Sequence, residues 1–521
     1  MVALGLLLVS ALRSVRTAMK GRLPPGPMGI PVLGNLLQVQ QEAWLTFTEW
    51  KQKYGPIVHI TLAGQSVIIL NTHKAAADLL DRRANNYSDR PRNIVASEIL
   101  TGGLMIVFTR YGEPCASRYR FQLTALSGEV WRRMRRAAHE GMNKAVASRY
   151  HPVQTTEAVT LCQSLLRDPA TWGDQFRKSA ASVVMSIIYG TPAIDNIEDP
   201  AIKRVNEFVE RIVKAAYPGA HLVEFFTWMR YLPSSIAKWK REAEEWFRRD
   251  SVMFEGLYND VKKRVIMGDE RPSITATLVV EKERNQITER EAGWLSATMY
   301  AAGADTTAAV LSWFMLAMVV NPEVQQRAHE ELDRVVGRDR MPAFADYEHL
   351  PYIRAMVKEA LRWRPVDPLG LPHRCADDDW YEGYYIPRGS ICIANVWAMN
   401  RDPEVYGPDA EDFNPSRHLD ENGRLAPAPA DTHDESHVTY GFGRRLCIGR
   451  NIANNSLFID IACILWSMRI EPTKDANGKP AMPDVSGCVQ GGLVVRPVPF
   501  QCETTPRFPG VQTILSQTAE I

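Results

Sequence analysis

The sequence has no Cys-x-x-Cys pair among its eight cysteines, no excess of charge of one sign, no internal repeat and no low-complexity stretch. Cysteines scattered from Cys115 to Cys502 in so long a chain do not make a disulfide framework, and they lack the short spacing of a zinc site. Most read as buried thiols in a reducing compartment; one that does chemistry would work alone. With Lys+Arg at 61 against Asp+Glu at 60, no basic excess marks the chain for nucleic acid. The missing repeat sets aside solenoids. Hydrophobic residues at 45% and charged residues at 23% exclude a disordered, collagen-like or polytopic membrane protein. The 521 residues suffice for several domains of roughly 100–200 residues or for one large enzyme.

The apolar run at the start is short. Residues 2–12 are apolar apart from Ser10, with Gly5 neutral, and Arg13, Arg16, Lys20 and Arg22 follow. As a helix such a run reaches about 16 Å, against roughly 30 Å of hydrocarbon. A secretory signal carries its charge before the run; here the charge follows, which favours a cytoplasmic flank. The reading is a short membrane anchor over 1–22, with a frayed apolar terminus as the plain alternative. Leu23-Pro24-Pro25-Gly26-Pro27 opens a stiff hinge over 23–35, because proline fixes φ and cannot continue a helix. The body is 36–521.

Within the body, 58–62 and 66–70 are β-branched and apolar around Ala63-Gly64-Gln65, a hairpin signal. Helical periodicity follows over 130–147, 175–190, 200–216, 235–265, 289–320, 322–336 and 350–363. Residues 487–495 and 497–502 read as short strands. Strands near the ends of a large helical centre predict a mainly α fold with small β-sheets, one large domain and no doubly wound sheet.

Three stretches carry chemistry. The helix from Glu289 to Val320 is apolar on nearly every face from Trp294 onward, so it belongs in a large core or a membrane. In its middle stand Gly303, Asp305, Thr306 and Thr307, and a carboxylate in mid-membrane is expensive. Glycine weakens a helix and Asp and Thr compete for its backbone bonds, so a local widening that turns polar groups toward a ligand is expected. A buried Asp capping a kink is the equally weighted alternative. The second stretch, Tyr440-Gly441-Phe442-Gly443-Arg444-Arg445-Leu446-Cys447-Ile448-Gly449, sets one cysteine among glycines and arginines just before a helix. Nearby cations and the helix dipole favour a thiolate there; a buried cysteine in a tight turn is the bland reading. Third, Glu359 and Arg362 stand at i,i+3 and share a helix face, a common pairing on its own.

In this order the three stretches resemble the cytochrome P450 superfamily, in particular its fungal microsomal members, from the Pro-rich hinge to the C-terminus. The cysteine loop matches the family pattern Phe-x-x-Gly-x-Arg-x-Cys-x-Gly at Gly443, Arg445, Cys447 and Gly449, with Tyr440 in place of the Phe. The resemblance implies haem b with Cys447 as the axial thiolate, the ligand that favours O–O cleavage. It implies that Arg445, Trp131, Arg135 and His373 contact propionates, with a solvated loop histidine as the alternative for His373. It further implies a structural network of Glu359, Arg362 and Arg417, an acid–alcohol pair of Asp305 and Thr306 that relays protons, and room for dioxygen beside Ala302 and Gly303. Residues 366–371 and 92–107 would line the pocket. Where the family has Glu and Phe, this chain has Ser416 and His418. Electrons would come from NADPH through a separate cytochrome P450 reductase, with cytochrome b5 as a further partner. Arg132, Arg133 and Arg136 are the docking cations, or simply solvated charge. The protein would sit in the endoplasmic reticulum membrane, facing the cytosol, and oxidise a lipophilic secondary metabolite, a terpenoid by family analogy.

One departure stands out. Removing 113–128 joins Tyr111-Gly112 to Glu129-Val130-Trp131 and restores the family reading, and Gly-Glu occurs at both junctions. Codons for Gly-Glu can hold a splice-donor-like sequence, so the segment reads as a retained intron, or else as a loop insertion. Rival functions are xenobiotic oxidation, a reductase-independent haem-thiolate isomerase or dehydratase, and an inactive haem protein disabled by the insertion.

Overall fold

The computed structural model describes residues 20–111, 127–194, 200–216, 220–269, 271–491 and 494–519. Most of the anchor and residues 113–126 of the suspected insertion lie outside the described residues. The main helices are α1 (Ala43–Tyr54), α2 (Ser127–Met142), α3 (His151–Arg167), α4 (Trp172–Tyr189), α5 (Pro200–Ala216), α6 (Lys238–Ile266), α7 (Glu289–Val320), α8 (Pro322–Val335), α9 (Pro351–Trp363) and α10 (Arg450–Ser467). The strands are β1 (Ile57–Leu62), β2 (Gln65–Leu70), β3 (His373–Arg374), β4 (Asp379–Tyr381), β5 (Tyr384–Ile386), β6 (Ile391–Ala394), β7 (Met468–Pro472), β8 (Cys488–Gln490), β9 (Val495–Pro497) and β10 (Cys502–Pro506). The fold is mainly α with small sheets, as expected.

The largest sheet runs β1-β2-β6-β3, with β2 and β6 parallel and the other pairs antiparallel. Its hairpin turns on Ala63 and Gly64, both at positive φ (46° and 82°), the backbone that matches strand twist in a two-residue loop. Strands 373–394 were not foreseen: each is two to four residues long, too short for a period of two to register. The expected strand over 497–502 is corrected. Pro497 ends β9, which pairs with β8, and Cys502 begins β10, which pairs with β7. The expected helix over 130–147 breaks at Asn143, whose Oδ1 accepts from Ala145 N (3.1 Å) and Val146 N (3.2 Å) to start a new turn. Helices α1 and α3 were also missed. In α3 the buried face includes Gln154 and Glu157, which blur the apolar stripe.

Helix α7 organises the interior. Thr288 and Glu291 close a capping box at its start: Thr288 Oγ1 accepts from Glu291 N (3.2 Å) and Thr288 N donates to Glu291 Oε2 (2.8 Å). The helix is long and apolar enough to cross a membrane, yet 67% of its most apolar stretch is buried within the protein, so it is a core helix. It threads two separate cores. Residues 292–300 pack with α2, α4 and α6 in one; residues 308–319 pack with α3, α9 and α10 in the other. Burying a side chain such as Trp294 or Phe314 stabilises by roughly 1.5–3 kcal/mol, so both ends are firmly held.

Candidate active site

Between those cores lies the exception. Residues 301–307 of α7 are not buried, and Ala302 is exposed, although both flanks are sealed. Accessible surface midway along a core helix borders a hollow inside the molecule. The expected widening is absent: α7 is continuous α-helix, and Thr306 Oγ1 donates to Ala302 O at 2.8 Å. The helices of π type are Ala77–Arg82 and Ile94–Leu100 instead. The second of these lies within the expected pocket-lining segment, and its first amides are capped from afar. Glu224 accepts from Ile94 N and Val95 N at 2.9 Å.

The acid and alcohol of α7 are bonded to different partners. Asp305 forms an ion pair with Arg496 of β9, while Thr306 turns to its own helix. Gly303 and Ala302 also separate. A Cβ on Gly303 would stand 3.0 Å from Val184 Cγ2, so the missing side chain lets α7 approach α4, whereas Ala302 faces open space.

The cysteine loop is built by backbone. Gly443 adopts φ +53°, and any Cβ there would lie 2.2 Å from the Leu80 carbonyl oxygen, so glycine is required. Gly443 N donates to Asp81 Oδ1 (2.5 Å) and Cys447 N to Tyr440 O (2.9 Å), while the Tyr440 hydroxyl, standing where the family has Phe, donates to Asn454 Oδ1 (2.6 Å). Gly449 is the N-cap of α10, so Cys447 does sit just ahead of a helix. Its side chain is exposed by surface area, yet burial pushes its thiol up; both hold if Sγ borders an internal void. Ile448 of the loop and Ala304 of α7 both pack against the core that joins α2, α4 and α6. Burial disfavours the ionised sulfur, while the Gly449 amide, Arg135 and Arg450 favour it, and a bound metal cation would add to the second group.

Beside the loop the structure gathers cations. Arg445 donates to the carbonyls of Ser88 (2.9 Å), Ile106 (3.2 Å) and Thr109 (2.7 Å), and stacks 4.5 Å from the Trp131 ring centroid. Arg135, one turn after Trp131 on α2, donates to Leu446 O. Arg90 donates to Val107 O (3.1 Å), Leu371 O (2.6 Å) and Pro372 O (2.8 Å). His373 Nδ1 donates to Tyr87 O at 2.7 Å, which fixes its tautomer; burial, then Arg90, pushes the ring down to about 3. Burial lowers all three guanidiniums, Arg90 to about 10, with repulsion from neighbouring arginines adding to it at Arg90 and Arg445 and from Arg450 at Arg135, and none has a carboxylate within ion-pair distance among the described residues. Buried cations bonded only to carbonyls fit an anionic group. Trp131, Arg135, Arg445 and His373 lie near one another beside the loop. Arg90 was missed because no motif marks it; Asp367 lies in the expected lining segment 366–371, and burial pushes its carboxyl up to about 7.

The Glu359 network is sealed. Glu359 and Arg362 are both 0% exposed and joined by two 2.7 Å bonds; Arg417 Nε (3.1 Å) and His418 Nε2 (2.9 Å) also donate to Glu359. Arg362 ties in the carbonyls of Asn400, Ala410 and Asp412, which lie ahead of the cysteine loop. His418 thus replaces an aromatic ring with a hydrogen bond. Of the three surface arginines, Arg133 is engaged by Glu291, whereas Arg132 and Arg136 remain exposed.

The family model "Cytochrome P450" matches residues 24–503. A cytochrome P450 monooxygenase of Armillaria gallica is 60% identical over 499 residues, covering 96% of this chain and 92% of that protein. The cytochrome P450 monooxygenase iboC of Amanita muscaria is 41% identical, covering 98% of this chain and 95% of that protein. Among solved structures, a zebrafish cytochrome P450 studied with abiraterone aligns with TM-score 0.68 and 22% identity over 89% of this chain and all of that one, a likeness of fold. The chain belongs to the cytochrome P450 family and is a monooxygenase of that family, for which haem held by a cysteine thiolate is the implied cofactor.

Proposed function

We propose that this enzyme is a microsomal, reductase-dependent monooxygenase of lipophilic secondary metabolites, with terpenoids as the first class to try. Substrate, O2, NADPH and a proton would give hydroxylated substrate, water and NADP+. Haem with a thiolate ligand supplies the oxygen activation. The observation that carries this reading is Cys447, enclosed yet accessible, beside three guanidiniums that lack carboxylate partners.

Each residue has a task in that reading. Cys447 is the metal ligand. Arg445, Arg135, Arg90 and Trp131 hold the propionates; His373 reaches them through Nε2, since Nδ1 is committed to Tyr87. Asp305 and Thr306 move protons between the hollow and the reacting oxygen, and Ala302 leaves space there. Arg132 and Arg136 face the reductase, with cytochrome b5 as a second donor. Membrane residence is supported by the large exposed apolar side chains Met28, Leu37, Leu222, Phe226, Trp228 and Ile236. We take 113–128 as an insertion; a mature message without it establishes a retained intron, and a message with it overturns that origin.

The test is the reduced, carbon monoxide-bound difference spectrum, followed by turnover of a terpenoid panel with NADPH and reductase. A thiolate-type Soret band that disappears in Cys447→Ala, with reductase-dependent product, is expected. A histidine-type band in the parent overturns the ligand assignment. Product without NADPH would favour the isomerase reading. An absent band that returns when 113–128 is deleted assigns the defect to the insertion.

A further inference from the structure

We propose that Arg496 is a positioning residue that holds the Asp305 carboxylate and so governs how efficiently Asp305 delivers protons. The inference rests on the monooxygenase reading and adds a group outside the motifs that support it. Arg496 lies on β9, which is pinned on both sides: Val495 N donates to Val366 O at 2.8 Å, and Trp313 Nε1 of α7 donates to Val495 O at 3.0 Å. The strand therefore cannot slide along α7, and the Arg496 guanidinium arrives at a fixed place. It meets Asp305, whose side chain is 37% exposed while that of Arg496 is 21% exposed. Thr306 is occupied with Ala302, so the ion pair with Arg496 is the described contact that fixes the direction of the carboxylate. A charge-assisted bond to a planar guanidinium is directional, which a lysine reproduces in charge but not in shape. A carboxylate held this way keeps its aim; released, it rotates freely about its χ angles, and proton delivery becomes less certain.

The test uses the full holoenzyme with NADPH and reductase and no added substrate, reading hydrogen peroxide released per NADPH consumed. Poor proton delivery raises the peroxide share over water. Arg496→Gln is expected to raise that share by about threefold or more with the thiolate-type carbon monoxide band intact, and Arg496→Lys to restore most of the parent ratio. Asp305→Asn should give a similar rise, and the double variant no further one, because both act through one contact. Thermal midpoints of the same four proteins read the pair independently of turnover: the double variant should shift by less than the sum of the single shifts. Additive shifts, or an unchanged peroxide ratio in Arg496→Gln, overturn the proposal. A parent that oxidises no NADPH counts against reductase dependence, and the midpoints still decide whether the pair is coupled.

Discussion

The carboxylates of Glu359 on α9 and Asp305 on α7 are held in opposite ways. On α9, Glu359 accepts from Arg362, Arg417, His418 and the backbone of Asn414, and no part of it is exposed. On α7, Asp305 has Arg496 and an open side. Full satisfaction in a dry site makes a rigid joint, because any displacement strands a charge. Partial satisfaction next to a hollow leaves a group that can exchange partners, which is what proton transfer requires. The same residue chemistry thus suits a scaffold in one place and, in the proposed function, a reagent in the other.

The contrast breaks most easily at Glu359. Glu359→Ala strands two buried guanidiniums and should destabilise by about 3–5 kcal/mol, while Asp305→Ala should change stability by under about 1 kcal/mol. Denaturant titration of both variants measures the difference; equal losses would erase the distinction. Acid is the next probe. Burial holds His73 down to about 4 and His329 down to about 3. Their folded values lie below the unfolded one near 6.5, so the unfolded state binds more protons as pH falls. Their contribution is complete above about pH 6.5 and declines below it, by up to about 2 kcal/mol each at pH 5. Glu359 behaves differently, since its neighbouring cations overcome desolvation and hold it far below the usual carboxylate range. Its contribution fades only in much stronger acid. Unfolding midpoints at pH 7.5 and pH 5 should therefore differ, with the loss reduced in a His329→Gln variant.

On the reactive side, Asp305→Asn should lower turnover about 100-fold with stability nearly unchanged, as expected for removal of a proton donor. The smallest effect sharpens the comparison through glycine. Gly443→Ala forces a Cβ onto the Leu80 carbonyl at positive φ and should destabilise by more than about 2 kcal/mol. Gly303→Ala meets only the end of Val184 and should stay within about 1 kcal/mol. Thermal midpoints separate the two.

The helical architecture was legible because α7 and α10 are long and apolar and α9 is amphipathic. The cysteine loop was legible because its glycines and arginines have fixed spacing. What escaped reading depends on distance in space. Arg90 and Arg496 carry no local signature; they matter because strands and loops hundreds of residues apart meet at the hollow. The desolvation of Cys447 escaped reading for a related reason. Local cations were visible in the sequence, but the desolvation that outweighs them is a property of the whole fold.

Arg90, Arg135 and Arg445 also bear on how the chain is made. Three like charges converging on carbonyl oxygens oppose the last stage of collapse, and a doubly anionic cofactor would end that opposition. A ligand bound by the native state alone draws the chain toward that state by mass action. The prosthetic group then acts as a folding partner, and the yield of soluble protein in a producing cell should follow the cell's supply of it.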